Sequence, residues 1–216
     1  MTTQGFATFL AKEALLERRQ RTTLGGILVY VLGLVFLAGL VLHGSLSEKA
    51  GVVLFWLLLT FSAIGALTRA FVAESPGQLA LLYQWGSAGE LLLAKLCYNT
   101  AVVLVYSVPA ALLYSTLVGL SVADVPLFGL GLVLGAVGLA GPLTLTSALV
   151  ARAGGQYTLM AVLSLPLLVP QVLTLIRIAE GAALGVSRWG TVGISLGLSA
   201  VSVALGLVLF PLLWRE

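Results

Sequence analysis

Residues 24–42 read LGGILVYVLGLVFLAGLVL, an unbroken apolar run without one charge. A helix needs about 20 such residues to cross the hydrocarbon core of a bilayer. Working outward, five further runs of similar length follow: Gly51 to Thr68, Leu96 to Val118, Val125 to Val150, Tyr157 to Ile176 and Trp189 to Trp214. Backbone groups in lipid must be bonded internally, so only helices or closed barrels cross it. A barrel requires short strands that alternate apolar and polar residues. These runs are apolar on every side, so the expected fold is all-α, a polytopic membrane protein with about six transmembrane helices.

Composition agrees. The 216 residues are 60% hydrophobic and only 9% charged, where soluble domains carry about 25% charged residues. The net charge of +3 reads as membrane topology rather than as a nucleic-acid surface, because no basic patch is interleaved with aromatics. Placing the N-terminus inside puts Lys12, Arg18, Arg19, Arg21, Arg69, Lys95, Arg152 and Arg215 on the cytoplasmic side. Only Lys49, Arg177 and Arg188 then lie outside. That asymmetry favours both termini in the cytoplasm. Trp56, Trp189 and Trp214 fall near expected span ends, where indole prefers the interface.

The expected outer loops are short: His43 to Ala50, Gly119 to Asp124, and Arg177 to Arg188. The third could fold back into the membrane, with Arg177 and Glu180 spaced to pair. The larger non-spanning pieces are both cytoplasmic, residues 1–23 and the loop from Arg69 to Lys95. No cleaved signal peptide is expected, because the chain opens on a charged amphipathic stretch.

Residues 1–23 read as a helix lying on the membrane. Phe6, Phe9, Leu10 and Leu16 cluster at helical spacing, while Lys12, Arg18 and Arg19 point elsewhere. Glu13 and Glu17 fall on the apolar stripe, and Glu17 can reach Arg21 at i,i+4. Two readings stay open: the carboxylates face water, or they meet a cationic surface of a partner.

After the second span, Ser75-Pro76-Gly77 reads as a helix start, with Ser as N-cap and Pro in the first turn. Gln78 to Trp85 then forms a short helix with Leu79, Leu82 and Tyr83 on one face, ended by Gly86 and Gly89. It is either a docking element or a plain interfacial connector. Pro166 and Pro170 sit four apart in the fifth span, where each removes a backbone donor. They mark either a gate or a static kink, and Pro109 and Pro142 bend the third and fourth spans similarly. Gly131, Gly135, Gly138 and Gly141 have the spacing of close helix packing.

No site chemistry stands out. There is no Gly-rich phosphate loop ending in Gly-Lys-Ser/Thr, so ATP is not bound in that way. The lone Cys97 makes neither an intramolecular disulfide nor a metal cluster. The lone His43 has no evident catalytic or metal-binding partner. The span centres lack ionisable residues, which argues against proton or ion coupling. No catalytic residue, metal ligand or directly bound cofactor is therefore expected.

Three stretches carry a family likeness. The first is Lys12-Glu13 followed by Leu15-Leu16-Glu17-Arg18. The second is Phe55-Trp56, Phe61, Arg69-x-Phe71-x-x-Glu74, a short helix and then Lys95. The third is Leu165-Pro166-Leu167-Leu168-Val169-Pro170 after a glycine-rich span. Over nearly its whole length the chain resembles the CcmB family, the haem exporter protein B membrane subunits of cytochrome c maturation. It departs from the family at Ser75-Pro76, where acidic residues are common, and at Trp85-Gly86, where proline is.

The resemblance implies a single ABC-2-like permease domain over 1–216, with an N-terminal interfacial helix and a cytoplasmic coupling helix within 73–95. It implies a multi-pass protein of the cytoplasmic (inner) membrane and a homodimer, because ABC exporters need two permease halves. The partners implied are a CcmA-type ATPase that supplies ATP hydrolysis, CcmC- and CcmD-type membrane subunits, and a CcmE-type haem chaperone. Haem would be exported, or the haem-loaded chaperone released. Arg69, Phe71, Glu74, Gln78, Leu79, Leu82, Tyr83 and Trp85 would form the ATPase-docking element. Lys12, Glu13, Glu17 and Arg18 would mark the interfacial helix, and Pro166 and Pro170 the gating kink. The alternatives are an ABC-2-type permease for a lipid, glycan or drug, and a membrane scaffold that moves no substrate.

Overall fold

The computed structural model describes residues 3–19, 22–67, 87–152 and 157–213. Among them it is all-helical: α1 Thr3–Arg19, α2 Thr22–Leu42, α3 Glu48–Leu67, α4 Ala88–Val118, α5 Val125–Arg152, α6 Tyr157–Leu184 and α7 Trp189–Leu213. The last six are long and apolar enough to cross a membrane. The expected short helix, with Arg69, Phe71, Glu74, Gln78, Leu79, Leu82, Tyr83 and Trp85, lies outside the described residues. So do the side chains of Glu17 and Arg18, and Trp214.

Two boundaries differ from the sequence reading by about two turns, for the same reason. Hydropathy marks where a helix lies in hydrocarbon, whereas backbone bonding continues past it. The third span was expected to start at Leu96, but α4 starts at Ala88, so Lys95 is helical and Gly89 sits in the first turn. A 31-residue helix at about 1.5 Å per residue outruns a hydrocarbon core of about 30 Å. At the other end of the bundle, Arg177 to Leu184 is the last part of α6 and not a loop. Gly185, with φ 68°, ends that helix. Only residues 185–188 separate α6 from α7, so this segment does not fold back into the membrane.

α5 is the hub. Of its span 72% is buried within the bundle, against 17% for that of α2. α5 packs on α3, α4, α6 and α7, while α2 lies against α4 and α3. In lipid the apolar effect does not drive helices together, so close fit and interhelical hydrogen bonds decide the packing. The α5 glycines supply the fit: Gly131 faces Ile178, Gly135 the rim of the Trp56 indole, and Gly141 Ser202. A methyl group at Gly138 would overlap the Gln171 amide. Trp56 is therefore a core residue, 1% exposed, and not the interfacial anchor that its position suggested. Trp189, 66% exposed at the start of α7, fits that role.

Specific side-chain hydrogen bonds join the helices. Asn99 Nδ2 donates to Thr144 Oγ1 at 2.8 Å, joining α4 to α5. Gln171 Nε2 donates to Ser195 Oγ at 2.9 Å and to Ser199 Oγ at 3.4 Å, joining α6 to α7. Tyr114 Oη donates to the Gly51 carbonyl at 2.8 Å. Beside it Phe55 stacks on Tyr114, Trp56 and Phe128, with ring centroids 5.3, 5.6 and 5.7 Å away. Pro109, Pro142, Pro166 and Pro170 all lie inside continuous helices.

Candidate coupling joint

The joint forms where α1 meets the bundle. α4 begins with a capping box: the Ser87 amide donates to Glu90 Oε2 at 3.1 Å, and the Glu90 amide donates to Ser87 Oγ at 3.3 Å. Two otherwise unpaired amides at the helix start are satisfied reciprocally. This fixes the first turn of α4, and with it the direction of Leu91, Leu92, Ala94 and Lys95.

α1 lies across that turn. Phe9 is 1% exposed and sits in a small core of its own with Leu91, Leu92 and Ala94 of α4, Ala148 of α5 and Phe210 of α7. Phe6 and Leu10 pack around it. Four helices therefore contribute to this small core. The expected stripe of Phe6, Phe9 and Leu10 holds, but it faces protein rather than lipid alone. Leu16, assigned to the same stripe, is 40% exposed.

Glu13 follows Phe9 by four residues and so lies on the same face of α1. Its Oε1 accepts from Lys95 Nζ at 3.0 Å and from Lys12 Nζ at 3.4 Å. The Lys95 side chain is 3% exposed and that of Glu13 12%. Of the two readings left open for Glu13, neither holds as stated. The carboxylate meets a cation, but that cation belongs to α4 of the same chain. Taking both groups out of water costs several kcal/mol per ion in general, which their attraction must offset. The pair is therefore weak as a source of stability and strong as a constraint, because neither group can leave alone. Lys12, expected to point away from the stripe, instead reaches Glu13 from the edge of the joint, with its side chain 22% exposed.

The other expected site residues lie elsewhere. Pro166 and Pro170 are on the exposed side of α6, with Leu163, Leu165, Leu167 and Val169. Glu180 pairs with Lys49 of α3 at 3.9 Å rather than with Arg177. His43 is bonded through Nδ1 to the Leu117 carbonyl, which ties the end of α2 to α4. Cys97 is exposed. Among the described residues no three His, Cys, Asp or Glu side chains group as a metal site would.

Sequence reasoning missed three of the residues that matter here. Lys95 was counted as a topological charge and as the end of a family-like stretch, not as the partner of Glu13. Glu90 was not recognised as a cap, although Ser87-x-x-Glu90 is a legible capping box. Gln171 was overshadowed by the proline beside it. The available signal for Lys95 was indirect: a carboxylate on an apolar stripe requires a cation, but several cations shared that side of the membrane.

Residues of α1, α4, α5 and α7 thus share one small core near the start of α4. Residues 68–86, which lie outside the described residues, precede the capped turn in sequence. Neither a curated protein nor a solved structure matches the chain. The sequence model of one family, described as CcmB protein, matches residues 4–212. That range takes in α1, all six candidate spans and the joint between them, so the chain belongs to the CcmB family.

Proposed function

We propose that the chain is the membrane subunit through which a separate ATPase drives haem export, or release of a haem-loaded chaperone, in cytochrome c maturation. The family implies the permease subunit of an ABC-type haem exporter and a place beside other Ccm components. The finer reading is that a CcmA-type ATPase docks on the segment of Arg69, Phe71, Glu74, Gln78, Leu79, Leu82, Tyr83 and Trp85. It hydrolyses ATP there, and the stroke enters α4. The chain itself supplies no catalytic residue and holds no cofactor.

The observation that carries this reading is the buried bond between Glu13 and Lys95. It makes α1 and the start of α4 one body, so a push on the surface segments reaches the hub helix α5. Six spans bring both termini to one side, here assigned to the cytoplasm of an inner-membrane protein. Two copies form the working unit, beside CcmC- and CcmD-type subunits and a CcmE-type chaperone on the opposite face.

Deleting the chain and then assaying the chaperone tests the proposal. Accumulation of haem-loaded chaperone assigns the chain to release, and a haem-free chaperone assigns it to export. Undiminished cytochrome c maturation in the deletion strain overturns both.

A further inference from the structure

The end of α6 away from α1 holds two arginines that no coupling role uses. Glu180 reaches Lys49 in the first turn of α3, and the Asp124 amide donates to the Ala182 carbonyl at 2.8 Å. These contacts set residues 180–182 level with the ends of the neighbouring spans. Arg177 lies about one turn further in. It is exposed, on the same face as Val169 and Leu173, which are 52% and 54% exposed. An arginine one turn inside a span end, on a face presented to lipid, needs an anion or a path to water.

Two carboxylates at this end of the bundle, Glu180 and Asp124, are engaged. Glu180 is paired with Lys49, and Asp124 Oδ1 accepts from the Leu127 amide at 2.9 Å as a helix cap.

A second arginine arrives at the same place. Arg188 stands just before α7, and its stem crosses α6 at Gly181, one turn beyond Arg177. A methyl group at Gly181 would lie 2.8 Å from Arg188 Cγ and 2.6 Å from the Val186 carbonyl oxygen. Only glycine admits that crossing. Arg188 Nε is buried without a hydrogen-bond partner. A buried donor left unpaired is costly, and a guanidinium fork matches phosphate geometry.

We propose that Arg177 and Arg188 bind the phosphate of an anionic phospholipid, whose acyl chain lies along Leu173, Val169 and Pro170. A second copy of this chain is the competing occupant of that face. A two-fold axis along the membrane normal through the face would set Arg177 against its own counterpart, so charge disfavours it. The lipid satisfies both parts of the surface, the cations at one end and the apolar strip below.

Native mass spectrometry of the full-length protein, titrated with phosphatidylglycerol and with phosphatidylcholine, tests this. The wild-type chain should retain phosphatidylglycerol preferentially. Arg177→Gln and Arg188→Gln should each weaken that retention roughly fivefold, the share of one cation at a membrane surface. Arg177→Gln changes an exposed side chain, so folding is preserved if Arg188→Gln proves unstable. Unchanged retention in Arg177→Gln overturns the proposal. So does efficient disulfide cross-linking of Leu173→Cys between two copies in native membranes, in a Cys97→Ala background.

Discussion

Lys95 Nζ lies 3.0 Å from Glu13 Oε1, linking positions 82 residues apart through a pair almost closed to solvent. The contact turns an amphipathic surface helix into a fixed part of the bundle. A carboxylate on the apolar side of α1 would otherwise oppose docking there.

Because neither group can leave alone, Lys95→Met should destabilise the chain by about 3 kcal/mol, the cost of stranding a buried charge. Lys12→Ala should cost under about 1 kcal/mol, because Lys12 is partly exposed and further away. The exchanged pair Glu13→Lys with Lys95→Glu should recover part of the loss. Thermal unfolding of the purified protein in detergent measures all three. Equal melting of Lys95→Met and wild type would refute the constraint.

The capped start of α4 predicts a local effect. Ser87→Ala removes the acceptor for the Glu90 amide and should cost about 1 kcal/mol. The loss should appear as faster amide hydrogen exchange at residues 88–91, with the far end of α4 unchanged. Uniformly faster exchange along α4 would contradict a local cap.

At the centre of the bundle, Gly138→Ala should cost about 1–3 kcal/mol by forcing the Gln171 amide away from Ser195 and Ser199. Gly193→Ala, which meets open space, should be nearly neutral. Adding Gln171→Ala to Gly138→Ala should relieve much of the penalty, because the two positions share one volume. Strict additivity in a double-mutant cycle would show that they do not.

On the proposed docking element, Glu74→Ala and Leu82→Ala together should abolish co-purification of the ATPase while the chain still reaches the membrane. Lys95→Met should instead leave the ATPase bound but slow cytochrome c maturation. The ATPase-to-permease ratio after affinity purification separates the two. Full association in the Glu74/Leu82 double variant would move the docking site elsewhere.

Much of the architecture was legible because the signal is local. Each of the runs beginning at Leu24, Gly51, Leu96, Val125, Tyr157 and Trp189 states its own solvent preference, and lipid admits no backbone but a helix for such a run. The small-residue spacing of Gly131, Gly135, Gly138 and Gly141 likewise announced close packing. Misreadings came where one signal stood for another. Arg177 and Glu180 were taken to end a helix because charge ends a hydrophobic run, yet α6 carries them for two further turns. Trp56 was taken for an interfacial anchor, but a glycine on α5 opened a seat for it in the core.

Sequence alone thus determined that this chain crosses a membrane six times and opens with an amphipathic helix. Those properties are sums over neighbouring residues. Only the tertiary structure decided that Glu13 meets Lys95, that Gly138 makes room for Gln171, and that Arg188 crosses α6 at Gly181. Each of these depends on which surfaces of distant helices come into register, and an apolar run does not encode its own rotation. A buried charge or amide must find a partner, but the sequence names only the need, and the packing of the bundle chooses which side chain meets it.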